Sequence, residues 1–549
     1  MKLVTTEEMQ KIEREADNAG LTYEDMMENA GSNLAAVIAD IFDSLPEKSV
    51  LGLVGSGNNG GDALVALSIL SQLGWDTCAY LVRPRQPGDP LVERFLTAGG
   101  TLEKLEDDVV EADYPHLEKM IETNTLLLDG ILGTGARLPL KEELESVLKA
   151  VRDKVDGMDE APIVIAIDCP SGIDNDTGEA SDNVISADIT VTMAAVKKGL
   201  LEYPASTYVG ELYLVGIGLD DLKTPLDAWE EINRYVVDEE MVEKALPLRP
   251  IHAHKGTFGT AFIVAGSVNY TGAVLLAGEA AYRSGAGLVT LGVPASLHTA
   301  LAGQLPEATW VLMPHEMGVI SENATDIFYE NMDRVTALLI GPGFGMEETT
   351  RNFLQRLFAP GVTSRRSGIG FFPSKKSETG EQPKETMVLP PLVIDADGLK
   401  LLSKLSNWPS RLPPRSILTP HPGEMALMTG LKKEEIQASR IETAERFAKE
   451  WGHIVVLKGA FTVIADPTGP TGVIPVATAA LARAGTGDVL SGLIVGLRAQ
   501  GVDSFSAACA GAWIHAEAGL TAAEELGTSA SVLAGDVVNA IPDVMSRFT

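Results

Sequence analysis

The residues best suited to chemistry in this chain are carboxylates set beside glycines at the ends of apolar runs. In Ala482-Arg483-Ala484-Gly485-Thr486-Gly487-Asp488-Val489-Leu490-Ser491-Gly492, the glycines let the backbone turn so that several N–H groups converge. The apolar run that follows reads as a buried helix whose N-terminus adds partial positive charge. Phosphate suits such a turn. Asp488 would repel it unless it has a proton to take, and the fitting chemistry is deprotonation of a hydroxyl about to attack phosphorus. The other reading is that Asp488 caps the helix. A second constellation lies earlier: Asn59, Asp129, Asp168 and Ser171 each follow an apolar run. Two carboxylates, an amide and a hydroxyl gathered there form an oxygen-rich site for a hard cation, with one carboxylate left for proton transfer. Taken singly, each could equally serve a loop or a cap.

These residues need strands and helices to hold them. Ser49–Val54 is a short apolar strand that delivers the chain into Gly55-Ser56-Gly57-Asn58-Asn59-Gly60-Gly61-Asp62, with a helix expected over 63–73. Strand, glycine loop and helix make a βαβ opening, and Gly55, Gly57 and Gly60 satisfy G-x-G-x-x-G. The next strand, 77–82, ends in Arg83-Pro84-Arg85, where a dinucleotide dehydrogenase carries an acid for the ribose. Hydride-transfer chemistry therefore loses ground. The Asn58-Asn59 amides suit a ligand or cation, a pair of turn asparagines being the alternative. Strands at 125–128 and Ile163–Ile167 run into Asp129 and Asp168, and in an open parallel sheet the ligand crevice lies beyond such strand ends.

Further strands are expected at 187–193 and 210–215, and an acidic, proline-punctuated stretch over 219–250 reads as a domain joint. Beyond it, strands at 260–267, 288–293 and Ile454–Leu457 alternate with helical patterns. Polar residues again collect after strands, at Asp395-Ala396-Asp397, at Thr419-Pro420-His421-Pro422-Gly423-Glu424 and at Lys458-Gly459. A second α/β domain with its own crevice is expected. Residues 363–385, rich in Ser, Lys, Gly and Glu, read as a surface insertion.

Length and charge bound the rest. A chain of 549 residues exceeds what one core supports, so at least two domains are expected. With 43 basic against 76 acidic residues the net charge is −33, which disfavours nucleic acid and anionic membranes as partners. Any polyanion site must then be built locally, from backbone N–H groups, a few cations or a bound metal. Three cysteines in no metal-ligand spacing, no signal-peptide pattern and no apolar span point to a cytoplasmic protein.

The order and joint presence of Gly57-Asn58-Asn59-Gly60-Gly61-Asp62, Asp129-Gly130-Ile131-Leu132-Gly133-Thr134-Gly135, Asp168-Cys169-Pro170-Ser171-Gly172, Gly341-Pro342-Gly343, the three second-half motifs above and Gly485-Thr486-Gly487-Asp488 carry a resemblance. The chain resembles the bifunctional NAD(P)H-hydrate repair enzymes over nearly its whole length. That resemblance implies an α/β protein of two domains, a Rossmann-like three-layer sandwich over 1–222 and a ribokinase-like domain over 223–549. The first would epimerise hydrated NADH or NADPH at C6 of the damaged nicotinamide ring. Asp168 would act as acid/base, and Asn59, Asp129 and Ser171 would hold K+. The loop Asn58, Asn59, Gly60, Gly61, Asp62 and the segment Gly133, Thr134, Gly135, Ala136, Arg137, Leu138, Pro139 would lie against the dinucleotide.

The second domain would use ADP or ATP with Mg2+, ADP being expected for a fused chain, to phosphorylate the S-hydrate and so drive its dehydration. Lys458, Gly459, Ala460, Phe461, Thr462 and Gly487 would hold the nucleotide. Ala273, Gly343, His421 and Asp488 would line the hydrate site, Asp488 being the base. A homo-oligomer is expected. The family often has Gly-Gly before Thr-Gly-Asp, whereas Ala484 stands here; a positive φ at Ala484 would strain the turn. The alternative function is a ribokinase-type small-molecule kinase with a fused accessory dinucleotide-binding domain, or a scaffold that binds dinucleotide without catalysis.

Overall fold

The computed structural model describes residues 1–108, 114–359 and 389–548; the insertion expected at 363–385 lies outside them. The chain divides into two compact units, Met1–Arg234 and Tyr235–Thr549. The sequence draws the joint at 222/223, but Leu226, Ala228 and Ile232 are buried in the first core, which carries the division further along.

In the first unit seven strands form one parallel sheet: β1 Ser49–Val54, β2 Asp76–Leu81, β3 Thr101–Lys104, β4 Leu126–Gly130, β5 Ile163–Ile167, β6 Ile189–Met193 and β7 Glu211–Val215, in the order β3-β2-β1-β4-β5-β6-β7. Alternate residues of β1 serve opposite faces. Val50 and Val54 pack with the helices Tyr23–Ile41 and Asn58–Gln72, and Leu51 and Leu53 with Pro115–Thr123 and Glu142–Asp156. That is the three-layer sandwich, and it explains why these strands read as unbroken apolar runs. Full burial of a residue such as Leu127 is worth about 1.5–3 kcal/mol. The strand order reverses between β1 and β4, and there the loops after them diverge and open a crevice.

The helix after β1 begins at Asn58, earlier than the expected residue 63. Gly57 supplies an extended N-cap, and Gly60 lets the first turn lie on the Gly55 carbonyl, where a Cβ would come within 2.1 Å of the oxygen. At the chain start, Leu3–Val4 pairs in parallel with Val196–Lys197. Thr5 then caps the helix Thr6–Asn18, accepting from Glu8 N while Glu8 accepts from Thr5 N. This capping box, worth about 1 kcal/mol, fixes where the helix that carries Glu13 begins.

The second unit is built on a ten-stranded sheet: β8 Arg234–Val236, β9 Thr260–Val264, β10 Leu288–Pro294, β11 Thr309–Met313, β12 Ala337–Ile340, β13 Leu392–Ile394, β14 Ile417–Leu418, β15 Ile454–Leu457, β16 Val463–Ala465 and β17 Thr471–Val473. Their order is β8-β17-β16-β15-β14-β13-β12-β9-β10-β11. The run from β15 to β11 is parallel, so the loops after β12, β13, β14 and β15 emerge at one edge. Helices Gly272–Arg283, Thr486–Ala499, Ser504–Glu525 and Ala534–Ser546 share the main core with the sheet.

Candidate functional site

The crevice of the first unit is a cavity of about 620 Å³. Asn58, Asn59, Asp62, Gly133, Thr134, Gly135, Ala136, Arg137, Pro139 and Asp168 line it, joined by Glu13, Arg83 and Lys197. Gly60, Gly61 and Leu138 do not. Gly60 backs onto Gly55, and a Cβ on Gly61 would meet Met27 Sδ at 2.5 Å, so both serve packing.

Asp168 leaves β5 with φ 65, a left-handed conformation rare outside glycine. Its amide donates to Val191 O at 2.8 Å, which ties the turn to β6. Asp168 Oδ1 accepts from the Met193 amide at 3.1 Å, from Thr192 Oγ1 at 3.3 Å and from Lys197 Nζ. The Lys197 side chain is 1% exposed and also donates to Met193 O at 2.8 Å. A buried ammonium thus neutralises the candidate catalytic carboxylate from within the fold. Burial pushes the Glu13 and Asp62 carboxyls up, Asp168 adding to both.

The three residues expected to hold K+ come together through Leu132. Asn59 Nδ2 donates to Leu132 O at 2.8 Å, and the Leu132 amide donates to Ser171 Oγ at 2.9 Å. Ser171 Oγ in turn donates to Asp129 Oδ1 at 2.6 Å and its amide to Oδ2 at 2.7 Å. Asp129 is fully buried, and burial raises its pKa. Among the described residues no basic side chain bonds to it. A buried carboxylate without counter-charge, flanked by amide and hydroxyl oxygens, fits a monovalent cation.

In the second unit the site gathers after β12 to β15. Lys458 Nζ donates to Asp395 Oδ1 at 2.6 Å and lies 3.9 Å from Glu424 Oε2. Burial would lower the Lys458 ammonium, but Asp395 and Glu424 raise it. Thr419 Oγ1 donates to the same Asp395 oxygen at 2.7 Å, whereas Asp395 Oδ2 is buried without a hydrogen-bond partner among the described residues. His421 caps Pro422–Thr429, its Nδ1 accepting from the amides of Gly423 and Glu424 at 2.9 and 3.2 Å, and burial lowers its pKa.

Asp488 stands in the first turn of Thr486–Ala499 and does not cap it. The N-cap is Gly485, with φ 95 and no side-chain cap, and the Asp488 carboxylate makes no hydrogen bond among the described residues. Burial, then Asp395, pushes its pKa up to about 7. The left-handed position falls on Gly485, so Ala484 escapes the strain considered above. A Cβ on Gly487 would sit 3.5 Å from Lys458 Nζ, which sets the glycine turn against the lysine.

Gly459 to Thr462 form a tight turn in which Thr462 Oγ1 donates to Gly459 O at 2.8 Å; Phe461 takes φ 52 and Ala460 is exposed. Arg440 Nη2 braces it, donating to Leu457 O at 2.9 Å and Lys458 O at 3.3 Å. Ala273 and Gly343 touch, since a Cβ on Gly343 would lie 2.9 Å from Ala273 Cβ. They connect to the charged cluster through Gly345, whose amide donates to Asp397 Oδ2 at 3.0 Å, and through Lys400, 3.0 Å from Asp397 and 3.8 Å from Glu424.

Sequence reasoning assigned no role to Lys197, Glu13, Asp395, Glu424 or Lys400. Lys197 follows β6, so the strand-end rule that found Asp168 would have found it too. Asp395 and Glu424 lay in motifs already noted. Glu13 had no local signal, because only long-range pairing brings its helix to the cavity.

Residues 23–199 match a family model described as YjeF-related protein N-terminus, and residues 261–362 and 381–543 one described as NAD(P)H-hydrate dehydratase. The chain is similar to the bifunctional NAD(P)H-hydrate repair enzyme Nnr of Moorella thermoacetica, 33% identical over 99% of this chain and 97% of that protein. It is also similar to that of Escherichia coli, 31% identical over 98% and 93%. Among solved structures it is similar to ADP/ATP-dependent NAD(P)H-hydrate dehydratase from Bacillus subtilis co-crystallised with ATP and Mg2+. There the identity is 30%, the coverage 58% of this chain and 100% of that one, and the TM-score 0.46.

Proposed function

We propose a division of labour for this chain, which belongs to the family of bifunctional NAD(P)H-hydrate repair enzymes. The chain interconverts R- and S-hydrated NADH and NADPH, and a nucleoside phosphate drives dehydration of the S-hydrate back to the intact dinucleotide. We assign epimerisation to the first unit and dehydration to the second.

In the first unit Asp168 moves a proton at the C6 hydroxyl, with Asn58, Asn59, Asp62, Gly133 to Arg137 and Pro139 along the dinucleotide. Lys197 keeps Asp168 ion-paired and fixed in orientation. Asn59, Asp129 and Ser171 would hold K+, which when bound supplies the counter-charge that Asp129 lacks and offsets the pyrophosphate.

In the second unit Ala273, Gly343, His421 and Asp488 receive the S-hydrate, and Lys458 to Thr462 with Gly487 receive ADP. Asp488 takes the proton of the hydroxyl whose oxygen attacks the terminal phosphorus, while Lys458 and the N–H groups of residues 484–487 meet the charge on the transferred group. Hydroxide is a poor leaving group and phosphate a good one, so the ester eliminates and the ring is restored. The unpartnered oxygen of Asp395, with Glu424 beside it, fits Mg2+, which takes one or two carboxylates plus phosphate and water and would neutralise the nucleotide's phosphates. The reading extends to a cytoplasmic homo-oligomer whose three cysteines stay free.

The observation that carries the reading is the Asp488 carboxylate. Among the described residues it makes no hydrogen bond, it interacts with the Lys458 charge, and its pKa is pushed up to about 7, where a general base works best. S-hydrated NADH incubated with ADP and Mg2+ tests it. Recovery of NADH absorbance with equimolar phosphate is expected. A stable phosphorylated product, or ADP consumption only with another alcohol, would refute it.

A further inference from the structure

Asp62 is a carboxyl group of the first cavity that the account above sets along the dinucleotide but gives no proton to move. It sits early in Asn58–Gln72, lines the same cavity as Asp168 and is 8% exposed. Among the described residues no hydrogen bond or ion pair reaches its side chain. The charged groups that face it are Asp168, Glu13 and Lys197. The cation that acts on Asp62 is Lys197, and that ammonium is bonded to Asp168. Burial first, then the charges of Asp168 and Glu13, holds the Asp62 carboxyl well above the usual range. Two acids in one cavity, one ion-paired and one with no bonded counter-charge among the described residues, are equipped for opposite halves of a proton transfer.

Inversion at C6 requires such halves, because a bond to that carbon must break and be remade. We propose that Asp62 is the general acid of epimerisation, paired with Asp168 as the base. Asp62 gives its proton to the C6 hydroxyl and the C6–O bond breaks, its electrons leaving with water as the N1 lone pair forms an N1=C6 double bond. Water then adds to the other face of C6, the double-bond electrons return to N1, and Asp168 takes the released proton. Passage of that proton back to Asp62 through water closes the cycle with no net proton change. The proposal rests on the reading of Asp168 as the proton acceptor.

Asp62→Asn and Asp62→Glu in the full chain test it, fed R-hydrated NADH with excess ADP and Mg2+ so that the dehydratase reports each S-hydrate formed. The Asn variant should lose about 100-fold or more in epimerisation kcat, with KM little changed and dehydration of supplied S-hydrate intact. The Glu variant should regain at least about a tenth of the wild-type rate. An acid must be protonated to act, so wild-type epimerisation should fall as pH rises through the raised pKa of Asp62, and the Asn variant should lack that limb. An Asn variant with near-normal kcat, or with only KM raised, would overturn the proposal and leave Asp62 with binding as its sole role. Should the Asn variant fail to fold, the Glu variant decides: a normal rate with an unmoved high-pH limb overturns it. Asp168→Asn assayed beside them separates the two readings. If it is inactive while Asp62→Asn is active, only the Asp62 proposal falls; if it is active, the Asp168 reading falls.

Discussion

Two carboxylates stand at the centre of the two units, and their surroundings are opposite. Asp168 is held by a buried lysine, a hydroxyl and a backbone amide at the end of a strand, in a backbone conformation that only the surrounding ties sustain. Asp488 stands on the first turn of a helix with its carboxylate unbonded among the described residues, and the nearby lysine is committed to Asp395. The first arrangement fixes geometry at the expense of adjustability. The second leaves the proposed base raised to about 7 by burial first and then by Asp395, at a site where phosphates and Mg2+ would enter and leave. Proton transfer to a ring carbon's hydroxyl can be served by a rigid pair, whereas phosphoryl transfer needs its base to answer changing charge.

The comparison breaks most plainly at Asp488. Asp488→Asn should lower dehydration about 10³-fold while ADP affinity and epimerisation stay near normal; a large loss of ADP affinity in calorimetry would make Asp488 structural. Next in size is Lys197→Met, which leaves Asp168 buried without its ion. Breaking a pair this buried should cost the first unit about 3 kcal/mol or more in chemical denaturation, together with epimerisation. Unchanged stability would mean that Asp168 does not depend on the lysine. Asp168→Ala should lower epimerisation about 10²-fold and leave S-hydrate dehydration alone, and equal loss of both activities would refute separate sites.

The smallest effect concerns pH. Asp488 must be ionised to act and its pKa is raised, so dehydration kcat/KM should fall about tenfold per unit as pH drops below about 7. A dehydration rate flat across that range would contradict the assignment of Asp488 as the base.

What the sequence revealed of this contrast follows from how local each signal was. Asp129 and Asp168 were legible because each directly follows an apolar run, and in parallel sheets the residues after such runs meet at one edge, whereas Asp488 was legible from a glycine turn running into an apolar helix. β1, β5 and β15 were read to the residue for the same reason. The start of Asn58–Gln72 was misjudged, because glycines in sequence suggest a loop, whereas Gly60 and Gly61 serve close packing of a helical turn. The short strands β3, β16 and β17 carry too few apolar residues to show a period. Neighbourhood was harder still. That Lys197 neutralises Asp168, and that Glu13 and Asp62 crowd it, depends on Leu3–Val4 pairing with Val196–Lys197 across nearly the whole unit. No local pattern encodes that pairing.

Complementation tests the division into two independent sites most directly. Asp168→Ala alone and Asp488→Asn alone should each fail to regenerate NADH from pure R-hydrate with ADP and Mg2+, the first for want of S-hydrate and the second for want of dehydration. An equal mixture should restore the wild-type course of absorbance, because S-hydrate made by one variant can be dehydrated by the other. A mixture as inactive as its parts would contradict the account.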